Sequence, residues 1–185
     1  NILRDMEHLR FDLQPSMNRL SIPEYINTFN ATIESRLACY ESISLSRHLL
    51  NTMNTYIDNF SEQIDKFYYP KFEVLLACLL HDFGKSKKLQ ARLEISNINE
   101  LKHEEISGHY IDDLAKRVDG KYIFNKGVRD DEFYLSISQL EKVKKAVIEH
   151  HKQNIIKGSL SELLKLIDHK TREKEYSEYA RRINK

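Results

Sequence analysis

The 185-residue chain carries 29 lysines and arginines against 28 aspartates and glutamates, and 41% of its residues are hydrophobic. That balance says nothing for or against an anionic partner, and the apolar share suits one domain with a real core rather than two. Two cysteines, Cys39 and Cys78, give no disulfide framework and no CxxC pair, so a reducing, cytoplasmic setting is expected.

Five glycines and three prolines leave little punctuation for β structure, and apolar spacing of three and four predicts an all-α fold. The chain opens at Asn1 rather than Met, as an excerpt of a larger polypeptide would, and no signal peptide is visible. A first helix over 1–13 sets Ile2, Met6, Leu9 and Leu13 on one face and stops at Pro15. A second starts near Ser21 with Pro23 in its first turn and a stripe of Tyr25, Ile26, Phe29, Ile33 and Leu37. Residues 1–40 thus read as a helical extension to a core over 41–175.

The third helix, from about Ser42 to Lys66, repeats Leu45, Leu49, Met53, Tyr56, Ile57 and Phe60, with His48 beside that stripe. Pro70 opens a fourth over 71–83, and Gly84 is placed to end it in the left-handed conformation. Its apolar run, Val74 to Leu80, is far too short to span a bilayer. A fifth helix covers about 99–118, and an irregular insertion over 119–137 contains Gly120, Gly127, "RDDE" and a short strand near Tyr122 to Phe124. Ser138 and Glu141 form the spacing of a capping box for a helix to about Lys152, and Ser159 and Glu162 do so for one to about Tyr179. The total is seven helices in a single domain over 1–185.

Set against these stripes, several polar residues face the wrong way for a surface role. His81 and Asp82 end a helix whose Leu75, Leu76, Leu79 and Leu80 must be buried, and an unpaired carboxylate there costs several kcal/mol, so it needs a cation. His103 keeps helical register with Ile106, Tyr110 and Leu114; His150 and His151 follow Val143 and Val147; Asp168 follows Leu160 and Leu164. A single inward histidine is ordinarily a satisfied core residue. Five helices that each bring an imidazole or carboxylate to an apolar face point instead to a divalent metal with mixed nitrogen and oxygen ligands, and the type leaves manganese, iron, cobalt, nickel, magnesium and zinc open. His8, His109 and His169 fall off these faces and are expected at the surface or in ordinary hydrogen bonds.

The order His48, His81-Asp82, Asp168, with the stretch "LLHDFGK", resembles the signature of the HD-domain superfamily of metal-dependent phosphohydrolases over roughly residues 40–175. The resemblance implies an HD-domain helical bundle in which His48, His81, Asp82 and Asp168 bind one metal. It further implies that Asp82 bridges to a second metal held by His103 and His150, with His151 near or in that shell. Lys85 matches the lysine of the family motif, which faces the substrate phosphate in many members; a charge on the last helix carbonyls is the competing role. His151 is open between a proton donor to the leaving oxygen and a hydrogen bond that orients His150.

No DGxGYP-like stretch follows His150-His151, and "HDFGKS" is not the HDxxED form of the alarmone hydrolases, so neither branch fits. "KHEEISGHY" and "VIEHHK" look similar to segments of CRISPR-associated HD nucleases and relaxase-fused HD domains, though Lys102 and Lys152 replace the common arginine and glycine. The implied function is an HD-type phosphodiesterase or nuclease in which Asp82, Lys85 and His151 serve the chemistry. Lys85, Lys88 and Lys152 would hold single-stranded nucleic acid or a nucleotide, with no membrane partner. From Glu141 to the end, 12 basic residues face 7 acidic ones, either a solvated helical surface or a phosphate-attracting rim. Tyr68, Tyr69 and Phe83 are candidates for base stacking, with core packing as the plainer role. Two alternatives stay open: a non-catalytic metal-bound module within a larger nucleic-acid-processing protein, and a di-iron HD oxygenase.

Overall fold

The structure, a computed structural model, describes residues 33–62, 69–116, 121–123 and 134–183. The helix expected over 1–13, His8, the start of the second helix, Tyr68 and the "RDDE" segment lie outside the described residues. Among those described, the chain is an all-α bundle: α1 (Ile33–Glu41), α2 (Leu45–Asn59), α3 (Lys71–Leu80), α4 (Lys87–Arg92), α5 (His103–Lys116), α6 (Ile137–Glu149) and α7 (Leu160–Ile183). Its one extended element is a pair of three-residue strands, β1 (Lys121–Ile123) and β2 (Tyr134–Ser136), antiparallel with Tyr122 opposite Leu135. The described residues thus form seven helices, of which α4 was not foreseen. No described helix is long and apolar enough to cross a membrane.

The centre of the bundle is α3. It packs against α2, α6 and α7, and buries Val74, Leu76, Ala77, Cys78 and Leu80. Full burial of each leucine stabilises the fold by about 2 kcal/mol, which commits this helix to the interior. On α2, Leu45, His48, Leu49, Thr52 and Tyr56 face inward, and Ser44 caps the helix by accepting the Arg47 N–H at 3.3 Å. Ile57, read as part of that stripe, is 51% exposed; twelve residues past Leu45 the helix has rotated about 120° away from it.

Three local expectations are corrected. The capping box that opens α6 pairs Ser136 with Gln139, not Ser138 with Glu141, so the helix starts directly from β2. Ser159 does accept the Glu162 N–H (3.2 Å), but the Glu162 carboxylate bonds the Gly158 N–H instead (2.7 Å). Gly84 is not a left-handed stop: α3 ends at Leu80, with His81 as its cap, and Gly84 lies in a 3-10 turn, Phe83–Lys85. The glycine with positive φ among the described residues is Gly158, at 76°.

Gly84 is required for another reason. A Cβ there would lie 2.9 Å from Ile106 Cβ and closer still to the His103 carbonyl. Its N–H donates to Ser107 Oγ at 2.7 Å, and that hydroxyl lies within reach of the carbonyls of His103 (2.9 Å) and His81 (3.1 Å). The contact seats the start of α5 against the end of α3. Gly84→Ala is therefore expected to destabilise the protein by roughly 3 kcal/mol, the upper range for overpacking. Gly158→Ala, with open space around its Cβ, should cost about 1 kcal/mol for the left-handed backbone alone. Urea denaturation of the two variants checks the order.

Candidate metal centre

Four helix ends and one helix face meet at the C-terminal end of α3. His81 caps α3 and Asp82 follows it; His48 comes from the first turn of α2; His103 opens α5; His150 caps α6; Asp168 comes from the third turn of α7. His48, His81, Asp82, His150 and Asp168 are buried. Their donor atoms fall into two adjoining groups, His48–His81–Asp168 and Asp82–His103–His150–His151, each with all its donor atoms within 4.8 Å of one another and each able to hold a metal ion.

Asp82 joins the groups. Its Oδ2 lies 3.6 Å from both His48 Nε2 and His81 Nε2, and its Oδ1 lies 3.2 Å from His103 Nε2. Asp168 Oδ1 is 3.2 Å from His48 Nε2 and 3.7 Å from His81 Nε2. His48 Nε2, His81 Nε2, His150 Nε2, Asp82 Oδ1 and Asp168 Oδ1 are all buried, with no hydrogen-bond partner among the described residues. Buried polar atoms are otherwise almost always paired, so the arrangement fits a cation at the shared focus.

The other ring nitrogen of each histidine explains why these atoms point inward. His81 Nδ1 donates to the Cys78 carbonyl (2.8 Å) and His150 Nδ1 to the Val147 carbonyl (2.6 Å). His48 Nδ1 donates to the Glu175 carboxylate, 3.1 Å from each oxygen, and His103 Nδ1 lies 3.2 Å from Glu104 Oε2. A proton held on Nδ1 leaves the lone pair on Nε2, the tautomer a metal ligand needs.

Glu175, Arg172 and Glu104 were missed in the sequence reading. Arg172 and Glu175 stand four and seven residues after Asp168, so they continue its buried face; an arginine on an inward stripe was the available signal. Glu175 accepts from Asn51 Nδ2 (2.8 Å) and from Arg172 Nη1 (3.3 Å). The Arg172 guanidinium lies over the Tyr40 ring, 4.7 Å from its centroid.

Electrostatics follow from this packing. Burial raises the Asp82 pKa, but the charges of Lys85 and His81 and the nearby His103 imidazole hold it well below the usual carboxylate range. Asp168 behaves alike, with burial outweighed by the nearby His48 and His81 imidazoles. Burial and Arg172 pull His48 down, yet Glu175 and Asp168 raise it above 6.5. His150 is lowered well below 6.5 by burial, helped by His151 and His81. His151, exposed at the surface but with its ring crowded by the centre, is also drawn down, to about 4, by partial loss of water around it. Burial pushes the Cys39 thiol up to about 12 and Cys78 higher, which leaves neither as a thiolate ligand.

The remaining candidates are placed as follows. Lys85 neither caps α3 nor points outward: its Nζ is 2.6 Å from Asp82 Oδ2. His151 does not orient His150, whose Nδ1 is taken by Val147; it is exposed, with Nε2 3.2 Å from His103 Nε2. Lys88 and Lys152 are exposed, and Lys152 Nζ is 3.2 Å from Glu149. Phe83 is core, stacked on Tyr110, and Tyr69 donates to the Gly158 carbonyl. His109 is exposed and His169 is 3.6 Å from Glu173, as expected of residues off the site. No protein family, curated protein or solved structure matches the chain. The fold and site define a helical bundle with His/Asp groups able to hold metal, an arrangement compatible with an HD-like fold.

Glu175→Gln keeps the shape of the His48 contact and removes its charge; metal affinity, read by manganese titration, should fall about 10- to 100-fold. A second outcome concerns pH. Below 6.5 the unfolded chain takes up a proton that folded His150 refuses, so stability falls as pH drops, with a slope approaching about 1.4 kcal/mol per pH unit. His48 has a raised pKa and acts in the opposite sense: its contribution is complete below 6.5 and is lost as pH rises through its folded value. Chelator-stripped protein should thus be most stable near neutrality in urea melts from about pH 5 to 8, and His150→Gln should make the acid side shallower, His151 keeping part of the slope.

Proposed function

We propose that the chain is an HD-type metal-dependent phosphohydrolase that cleaves phosphodiester bonds of nucleic acid or nucleotides. The observation that carries this reading is the set of five buried, unpartnered nitrogen and oxygen atoms directed at one another around Asp82. The ordered resemblance of His48, His81-Asp82 and Asp168 to the HD signature supports the same reaction class.

In this reading His48, His81, Asp82 and Asp168 hold one cation, and Asp82, His103 and His150 hold another. Bound there, divalent cations would supply a water of lowered pKa at neutral pH and neutralise phosphoryl oxygens. The protein groups do the rest. Glu175, Glu104 and the Cys78 and Val147 carbonyls keep the four imidazoles in the required tautomer. Lys85, on the bridging carboxylate and with its side chain 11% exposed, is set to meet an incoming anion. A His151 drawn down to about 4 is neutral at pH 7; it can accept a proton or ligate, which favours the ligand shell over the proton donor. The centre is not sealed: the His103 side chain is 26% exposed and His151 lies at the surface, so a substrate has an approach that an ion of purely structural purpose would not need. Exposed Lys87, Lys88, Lys102, Lys152 and Lys157 offer contacts for further phosphates.

Manganese-loaded protein should hydrolyse bis-p-nitrophenyl phosphate, and Asp82→Ala should abolish turnover while circular dichroism shows the helices intact. Absence of turnover with manganese, iron, cobalt, nickel and zinc alike would refute the enzyme. Cleavage of single-stranded DNA or RNA that falls steeply with added salt, beside weak salt dependence for a mononucleotide, would identify the polymer as substrate.

A further inference from the structure

The charges around the centre do not match two divalent ions. Four carboxylates converge on it, those of Asp82, Asp168, Glu175 and Glu104, and all four residues are buried. Two side-chain cations sit among them. Lys85 Nζ is 2.6 Å from Asp82 Oδ2, and the Arg172 guanidinium is 3.5 Å from Asp82 Oδ2, 3.8 Å from Asp168 Oδ1 and 3.3 Å from Glu175 Oε2. The protein therefore presents two net negative charges, which one divalent cation cancels.

Resting on the metal-centre reading above, we propose that Lys85 and Arg172 set the centre to bind one divalent cation tightly, and that the second enters together with a phosphate-class anion. A second ion without an anion would leave two uncompensated positive charges beside the buried half of the centre. The groups also differ in kind. His48–His81–Asp168 is buried throughout and has Glu175 behind it, so it takes the first ion. The other group offers three imidazoles and one oxygen of a carboxylate whose second oxygen is already engaged by Lys85. Its negative charge is supplied only by the shared Asp82 and, behind His103, by Glu104. It is also the group at the surface, through His103 and His151, where an anion arrives from solvent. A phosphate there brings the missing charge and gives Lys85 an alternative partner, which returns the full charge of Asp82 to the ions.

Equilibrium dialysis of the chelator-stripped chain against manganese, with and without inorganic phosphate, tests this without any turnover. One equivalent is expected to bind in phosphate-free buffer. Phosphate should tighten the second by about 5- to 150-fold, and manganese should tighten phosphate by the same factor. The electron paramagnetic resonance spectrum of a coupled manganese pair should appear only with phosphate present. Lys85→Met, checked for folding by circular dichroism, should bind the second equivalent more tightly in phosphate-free buffer and respond less to phosphate. Two equivalents of similar affinity without phosphate, or a single equivalent at saturating phosphate, would overturn the coupling and leave the metal centre standing. No manganese bound under any condition would overturn both.

Discussion

An imidazole has two nitrogens, and this bundle depends on assigning them different work. At His48, His81, His103 and His150 the Nδ1 side is committed to a carbonyl or carboxylate of the protein. The Nε2 side is left facing Asp82 and Asp168. In an interior built from Leu76, Leu80, Val143, Val147 and Leu164, such atoms are expensive unless something positive lies between them. The packing serves that convergence. Because α3 is apolar nearly all round, it occupies the middle, and α2, α6 and α7 must lie against it. Each of these neighbours then delivers its donor at the level where α3 ends.

Much of this was legible before any coordinates. The apolar register that put His48, His103, His150 and Asp168 on inward faces is a property of helical period, and period survives errors in helix ends. The bundle class and the meeting of the donors followed from it. What sequence could not reach was short-range chemistry with two answers. Ser136-Gln139 and Ser138-Glu141 both have capping-box spacing, and only the direction in which β2 hands the chain to α6 selects the first. Gly84 suggested freedom of φ when the constraint was the closeness of the His103 carbonyl, a contact between residues nineteen apart that no local pattern encodes.

Arg172 and Glu175 were hidden differently. Both are charged, and charge on a long helix normally marks the wet face. Their burial is intelligible only as a pair with the site: Glu175 is neutralised by Arg172, accepts a hydrogen bond from Asn51 and is held by His48, while Arg172 answers three carboxylates and lies over Tyr40. Neither would be tolerated inside alone. The same dependence makes the buried half of the centre rigid and heavily partnered. The half formed by His103 and His151 has fewer ties and meets solvent.

His81 and His150 share one more property. Each is the cap of its helix, and each ring bonds the carbonyl three residues back, Cys78 for α3 and Val147 for α6. A helix leaves its last carbonyls without backbone partners, so in both places one side chain finishes the helix and leaves its Nε2 lone pair to the donor cluster. Nothing in that device requires the remainder of this molecule. A protein engineer who wishes to place a nitrogen ligand off the tip of any helix could borrow it whole, as a single residue whose orientation is supplied by the turn it completes.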